Sequence, residues 1–232
     1  VEDTRKALAE IAANYYGHPN RNISLYGITG TNGKTTASYL IKSGLEAWGK
    51  PCGLTGTISY KVGGREYEAE RTTPESLDLQ KIFAELKNQG IRCCVMEVSS
   101  HALQLGRVKD LRFDYSVFTN LSQDHMDFHK DKEEYYQIKK RLFKQTTKMG
   151  IINMDDDAGL RLFGELREEK IPARSFSLTR DDADYYGEVI EMSEKGCRLS
   201  LRYKGREVTE LKSSLPGRFS LYNILAAASC LH

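Results

Sequence analysis

The sequence predicts an α/β fold: a mostly parallel P-loop-type sheet with helices on both faces, plus a small antiparallel sheet near the C-terminal end. Three observations carry this. Short, apolar, β-branched runs alternate with helical periodicity between residues 23 and 177, the rhythm of repeated βαβ units. A glycine-rich turn, Gly30-Thr31-Asn32-Gly33-Lys34-Thr35-Thr36, joins the first run to a helical segment. Beyond residue 184 the pattern changes to period two, with turns at EKG and KG, as in an antiparallel meander.

The elements follow in order. Leu8, Ile11, Ala12 and Tyr15 at helical spacing predict an amphipathic helix over 3–16, ended by Gly17, Pro19 and Asn20. ISLYGIT at 23–29 reads as a buried strand. A helix over 35–48 turns Ala37, Leu40, Ile41, Leu45 and Trp48 inward. Leu54 to Thr57 is a second short strand. ISYKV and REYEAE flank Gly63-Gly64, a pair that supplies the positive φ angles of a tight hairpin. Leu79, Ile82, Phe83 and Leu86 mark a helix, Cys93 to Val98 a buried strand and Tyr115 to Phe118 another. A polar-rich helix is expected over 132–147, a strand over Gly150 to Asn153, a helix through Leu160, Phe163 and Leu166, and a strand over Ala173 to Ser177. YYGEVIEMS, CRLSLRYK and REVTELKS then form the meander, expected beside the main sheet. Gly217 precedes a last apolar helix. The sequence stops at His232 inside that helical pattern, so a piece of a longer protein is expected.

Composition bounds the function. The 232 residues are ample to bury a core. The net charge of +2 is too even for nucleic acid or an anionic membrane to be the main partner. No apolar run approaches the ~20 residues that span a bilayer, and VEDTRKALAE has no signal-peptide core. A cytoplasmic, monomeric protein is expected. Cys52, Cys93, Cys94, Cys197 and Cys230 are odd in number and lack CxxC spacing, which argues for reduced core residues over a zinc site or disulfides.

Four segments carry chemistry. In the turn at 30–36, glycines let backbone N–H groups surround phosphate oxygens, Lys34 reaches the β and γ phosphates, and Thr35 binds Mg²⁺. The spacing departs from GxxxxGK[ST], since Ile28 stands where that pattern needs Gly. The plain alternative is a glycine turn that only caps a helix. Glu97, in Met96-Glu97-Val98-Ser99-Ser100-His101, ends a buried strand, on the sheet edge where open α/β proteins bind ligands. It is placed to hold Mg²⁺, or simply to cap the next helix. The loop from Asn120 to His129 holds Asp124, His125, Asp127 and His129, which suit metal binding or proton relay. His125 is favoured, and His129 reads equally as structural. Residues 134–143, EYYQIKKRLF, read by themselves as a solvated helix face.

Together, GTNGKTT, TTPE at 72–75, EVSSHAL at 97–103, NLSQDHMDFH at 120–129 and YYQIKKRLF at 135–143 resemble the central domain of the Mur ligases. TTPE, EVSSHAL and SQDHMDFH are similar to the MurE branch, the UDP-N-acetylmuramoyl-tripeptide synthetases. The resemblance runs from about residue 22 onward. It implies that residues 1–21 are a helix and linker from a preceding domain, and that 22–232 are an ATP-binding domain truncated in its last helices. It implies an ATP-dependent ligase that adds an amino acid to UDP-N-acetylmuramoyl-L-alanyl-D-glutamate through an acyl phosphate, with two Mg²⁺ ions and flanking N- and C-terminal domains. By the same resemblance, Lys34 and Thr35 serve ATP and Mg²⁺, Glu97 and His125 bind metal, and Lys139 carries a CO₂-derived carbamate that is also a metal ligand. Thr72, Thr73, Ser99 and Arg107 match positions that hold the UDP-muramoyl dipeptide. Asn223 matches an adenine-side asparagine, while Ser220 stands where a second is usual. Which amino acid is added stays open. The rivals are a folylpolyglutamate synthetase or other Mur-fold ligase, a P-loop kinase, and a nucleotide switch. A guanine-reading NKxD, which a GTPase switch would need, does not occur.

Overall fold

The computed structural model describes residues 3–122 and 130–232. In chain order the elements are α1 (Thr4–Tyr15), β1 (Ser24–Thr29), α2 (Lys34–Ala47), β2 (Cys52–Thr55), β3 (Ser59–Val62), β4 (Arg65–Glu68) and α3 (Ser76–Asn88). Then come β5 (Cys93–Glu97), α4 (Ser100–Gln104), β6 (Phe113–Phe118), α5 (Lys132–Lys144), β7 (Thr146–Asn153) and α6 (Asp157–Glu168). The chain closes with β8 (Ala173–Ser177), β9 (Tyr185–Ser193), β10 (Gly196–Tyr203), β11 (Arg206–Ser213) and α7 (Arg218–Leu231).

The strands make one sheet in the order β11-β10-β9-β8-β7-β6-β1-β5-β2-β3-β4. From β2 to β9 the neighbours are parallel. β3 and β4 extend one edge antiparallel, and β10 and β11 the other. β1 is central and apolar on both faces. Leu25 enters a core with Phe83, Leu86, Ile138, Leu142 and Leu162, from α3, α5 and α6. Tyr26 and Ile28 enter the opposite core with Ile41, Leu45, Leu221 and Leu225, from α2 and α7. Each such side chain contributes about 1.5–3 kcal/mol by leaving water, so helices on both faces are needed to bury the sheet.

Five sequence expectations change. The meander does not pack beside the main sheet but continues it, because β9 pairs in parallel with β8 (Phe176 with Tyr185, Ser177 with Tyr186). α5 ends at Lys144 rather than residue 147, since β-branched Thr146 and Thr147 start β7 and Thr146 registers with Phe113 of β6. The second strand covers Cys52–Thr55 instead of Leu54 to Thr57; Thr57 N–H turns out of the ladder to a carboxylate. α1 buries Ala9, Ala12 and Ala13, while Leu8, Ile11 and Tyr15 are exposed at 40%, 63% and 80%. Small alanines let a helix backbone approach its neighbour closely, which outranks the larger apolar stripe. Likewise Trp48, at the end of α2, faces solvent.

All five cysteines are buried and free, as expected. No helix among the described residues is long and apolar enough to cross a membrane.

Candidate functional site

The predicted residues gather where the sheet changes direction. The chain leaves β1 toward β2 on one side and later returns to β6 on the other. The loops after β1, β5 and β6 therefore meet at the carboxyl ends of adjacent parallel strands, the ligand-binding crevice of such sheets.

The loop after β1 is shaped by its neighbours. Gly33 caps α2 at φ 86°, in the left-handed region, and Gly30 has φ 147°. A side chain at Gly30 would collide with Thr119 Oγ1, and one at Gly33 with Asn223 Oδ1 of α7. Thr119 Oγ1 donates to Asn32 O at 2.7 Å. Asn120 holds the loop three times: its carbonyl accepts from Thr31 N–H at 2.9 Å, its Oδ1 from Asn32 N–H at 2.9 Å, and its Nδ2 donates to Asn32 O at 3.1 Å. Helical bonding starts with Ala37 N–H to Gly33 O. The N–H groups ahead of it are those that a helix start offers to an anion.

Two lysines converge on this loop. Lys34 Nζ donates to Gly30 O at 3.0 Å and Thr31 O at 2.8 Å. Lys139, 1% exposed, donates to the same Gly30 O at 3.0 Å, with its Nζ 4.4 Å from the centre of the Tyr135 ring. Lys140 points the other way, to Glu165 at 2.7 Å and Glu169 at 2.5 Å. The helical spacing of α5 thus separates two adjacent lysines: one at the glycine loop, the other in an ion-pair network with α6.

Glu97 is fully buried at the end of β5. Its Oε2 accepts from Thr35 Oγ1 at 2.9 Å and Thr57 Oγ1 at 3.0 Å, and its Oε1 from Thr57 N–H at 2.9 Å. A Cβ at Gly56 would collide with Oε1. Only glycine there lets the β2–β3 turn come this close. Hard oxygen donors on Thr35 and Glu97, beside a phosphate-type loop, suit Mg²⁺. That ion is commonly held by one or two carboxylates together with substrate phosphates and water.

Thr72, Thr73, Ser99 and Arg107 form a hydrogen-bonded cluster beside Glu97, with Thr73 fully buried. Thr73 Oγ1 donates to Glu97 O at 2.8 Å and accepts from Ser99 N–H at 3.0 Å. Ser99 Oγ caps α4, accepting from Ala102 N–H. Arg107 donates to Thr73 O at 3.0 Å and pairs with Glu75 at 2.9 Å. Burial lowers the Arg107 pKa against the pull of Glu75, and its Nε is buried without a partner. Thr72 Oγ1 lies 3.1 Å from Thr57 Oγ1. Ser220 Oγ is turned to Pro216 O at 2.7 Å. His125, with Asp124, Asp127 and His129, lies outside the described residues. Among the described residues, no three His, Cys, Asp or Glu side chains group as a metal cluster.

Thr57 belongs to no motif and was missed by sequence reasoning. Its only signal is a Gly-Thr pair closing a buried strand, and its contact with Glu97 spans 40 residues.

A family model described as the Mur ligase middle domain matches residues 28–231. The chain belongs to the Mur ligase family. It is 47% identical over 234 residues to UDP-N-acetylmuramoyl-L-alanyl-D-glutamate–2,6-diaminopimelate ligase 1 of Clostridium acetobutylicum, covering 100% of this chain and 47% of that protein. The ligase of that name from Alkaliphilus oremlandii is 46% identical, with 97% and 46% covered. A solved structure of a 2,6-diaminopimelate ligase superposes at TM-score 0.86 and 28% identity, covering 98% of this chain and 47% of that one. Mycobacterium tuberculosis folylpolyglutamate synthase with ADP and AMPPCP superposes at TM-score 0.74 and 16% identity, covering 98% and 58%. That last likeness is one of fold. This Mur ligase chain spans about half the length of the curated relatives it matches.

Proposed function

We propose that this Mur ligase chain is the ATP-using core of an enzyme that joins 2,6-diaminopimelate to UDP-N-acetylmuramoyl-L-alanyl-D-glutamate in peptidoglycan assembly. One observation carries the chemistry: Lys34, Lys139 and the Thr35–Glu97 pair meet around one glycine loop at the carboxyl end of β1. The choice of substrates rests on the names of relatives at 40–47% identity over the chain.

The reaction sets a carboxylate against a polyanion. A muropeptide carboxylate oxygen attacks the γ-phosphorus, the bond to the bridging oxygen breaks, and ADP leaves. The amine nitrogen then attacks the acyl carbon, loses a proton, and phosphate departs. Lys34 carries the positive charge that offsets this repulsion, and the start of α2 adds aligned N–H dipoles. Thr35 and Glu97 would hold Mg²⁺, which supplies charge neutralisation and alignment. His125 is proposed as a second metal ligand, and Lys139 as a carbamate that converts a cation into an oxygen ligand. Asn223, against Gly33, is assigned to the adenine side. Thr72, Thr73, Ser99 and Arg107 are assigned to the dipeptide end. The enzyme is proposed to act in the cytoplasm with flanking domains that complete the substrate sites.

The test is substrate dependence in the full-length protein. Phosphate release should require ATP, the UDP-muramoyl dipeptide and diaminopimelate together. ADP formation without the amine and without phosphate release, with a phosphorylated dipeptide as the stable product, would identify a kinase. Turnover with lysine in preference would move the assignment to another amino acid.

A further inference from the structure

The Glu97 carboxylate is fully buried, yet two of its three bonds come from one residue outside every motif. Thr57 reaches it from the β2–β3 turn, with the backbone N–H on Oε1 and the hydroxyl on Oε2. The third bond, from Thr35 Oγ1, belongs to the glycine loop.

A carboxylate has no proton to give, so Thr57 Oγ1 must be the donor to it. That spends the one hydroxyl proton. The Thr72 hydroxyl, 3.1 Å away, is then the donor to Thr57 Oγ1. The direction of the chain is fixed: Thr72 to Thr57 to Glu97. Each hydroxyl orients the next, and the last fixes the plane of the carboxylate. Glycine at position 56 permits this approach, since any side chain there would strike Glu97 Oε1. The turn is therefore built against the carboxylate.

We infer that Thr57 is a positioning residue for the divalent cation: its hydroxyl holds Glu97 in the rotamer that faces Thr35 and the glycine loop. This rests on the reading of Thr35 and Glu97 as metal ligands. Hydrogen-bond partners behind a metal ligand typically matter by about 10–100-fold in metal affinity. The Thr57 N–H survives any side-chain change, which places the expected effect near the lower end of that range.

The experiment is Mn²⁺ binding in the presence of ATP, followed by electron paramagnetic resonance in the full-length protein, without turnover. Thr57→Val keeps the shape and removes the hydroxyl. It should weaken Mn²⁺ about tenfold while leaving ATP affinity in EDTA within error, even though loss of a donor to a buried carboxylate lowers the thermal midpoint. Thr57→Ser restores the hydroxyl and should restore Mn²⁺ affinity. Glu97→Gln is the control on the underlying reading and should weaken Mn²⁺ more than Thr57→Val. If Glu97→Gln weakens Mn²⁺ and Thr57→Val does not, the inference is overturned and the metal reading stands. If Glu97→Gln also leaves Mn²⁺ affinity unchanged, the metal reading falls and takes the inference with it. A Thr57→Ser protein as weak as Thr57→Val would likewise overturn the inference, because packing and not the hydroxyl would then matter.

Discussion

At the scale of single residues, the site turns on which lysine does what. Lys34 and Lys139 share one carbonyl acceptor, Gly30 O, so two cations stand at a loop read as a phosphate cradle. Removing Lys34 deletes a charge-assisted contact worth about 1.5–3 kcal/mol, or roughly 10- to 150-fold in Kd. Lys34→Ala should weaken ATP by that factor in a nucleotide titration, and unchanged affinity would remove Lys34 from the nucleotide site. Lys139 is assigned a different task, and its mutant should behave differently. In the full-length protein Lys139→Ala should lose turnover, with added short-chain carboxylic acids restoring part of it by supplying the missing anion. An active Lys139→Ala enzyme would overturn the carbamate assignment. Lys140 does not inherit it, because Glu165 and Glu169 occupy its ammonium. Motif spacing singled out Lys34, Thr35 and Glu97 as candidates in the sequence, whereas Lys139 entered only through the family resemblance, because its run alone reads as a solvated helix face. Thr57 was not legible. Its meaning comes from a carboxylate 40 residues away, and nothing local announces it.

At the scale of elements, α5 and α6 are tied by charge as well as by packing. Arg161 bonds Glu133 with both terminal nitrogens, at 2.6 and 2.9 Å, and lies over the Tyr136 ring at 4.2 Å. The bonds from Arg161, with help from Gln137, hold the Glu133 pKa down at about 2. A depressed carboxylate stabilises the fold fully above its unfolded pKa, which is 4.5. That stability is lost as pH falls toward 2. Thermal melts should therefore show Arg161→Ala below the parent by a constant margin above about pH 5, narrowing steadily toward pH 2 as Glu133 protonates in both. A margin flat down to pH 2 would mean that stacking on Tyr136, and not the ion pair, carries the effect. The element pattern itself was largely legible, because buried parallel strands are apolar and short whatever surrounds them. What failed was what partners decide. The inward face of α1 is chosen by how closely α3 can approach, and the place of the meander by a pairing between β8 and β9.

At the scale of the whole molecule, the groups proposed to hold nucleotide come from widely separated parts of this one chain. The loop after β1, the end of β5, Asn120 after β6, Lys139 of α5 and Asn223 of α7 all meet beside the central strand. The chain nevertheless spans about half of its curated relatives. Binding of ATP and joining of two further substrates should then separate. In the proposed assignment every group that holds ATP lies within this chain. Amide formation also needs a carboxylate and an amine held in line, and positioning of that kind is worth roughly 7–11 kcal/mol of barrier. The expected result is that the 232-residue chain binds ATP nearly as well as the full-length protein but releases phosphate orders of magnitude more slowly under the same substrates. Parallel nucleotide titrations and a coupled phosphate assay measure both. Equal rates would place the whole of substrate positioning within these residues, with Thr72, Thr73, Ser99 and Arg107 then sufficient to hold the muropeptide without help. A loss of ATP affinity in step with the loss of rate would instead mean that the glycine loop depends on the remainder of the protein for its shape. The close fit of Thr119, Asn120 and Asn223 around that loop argues against such dependence.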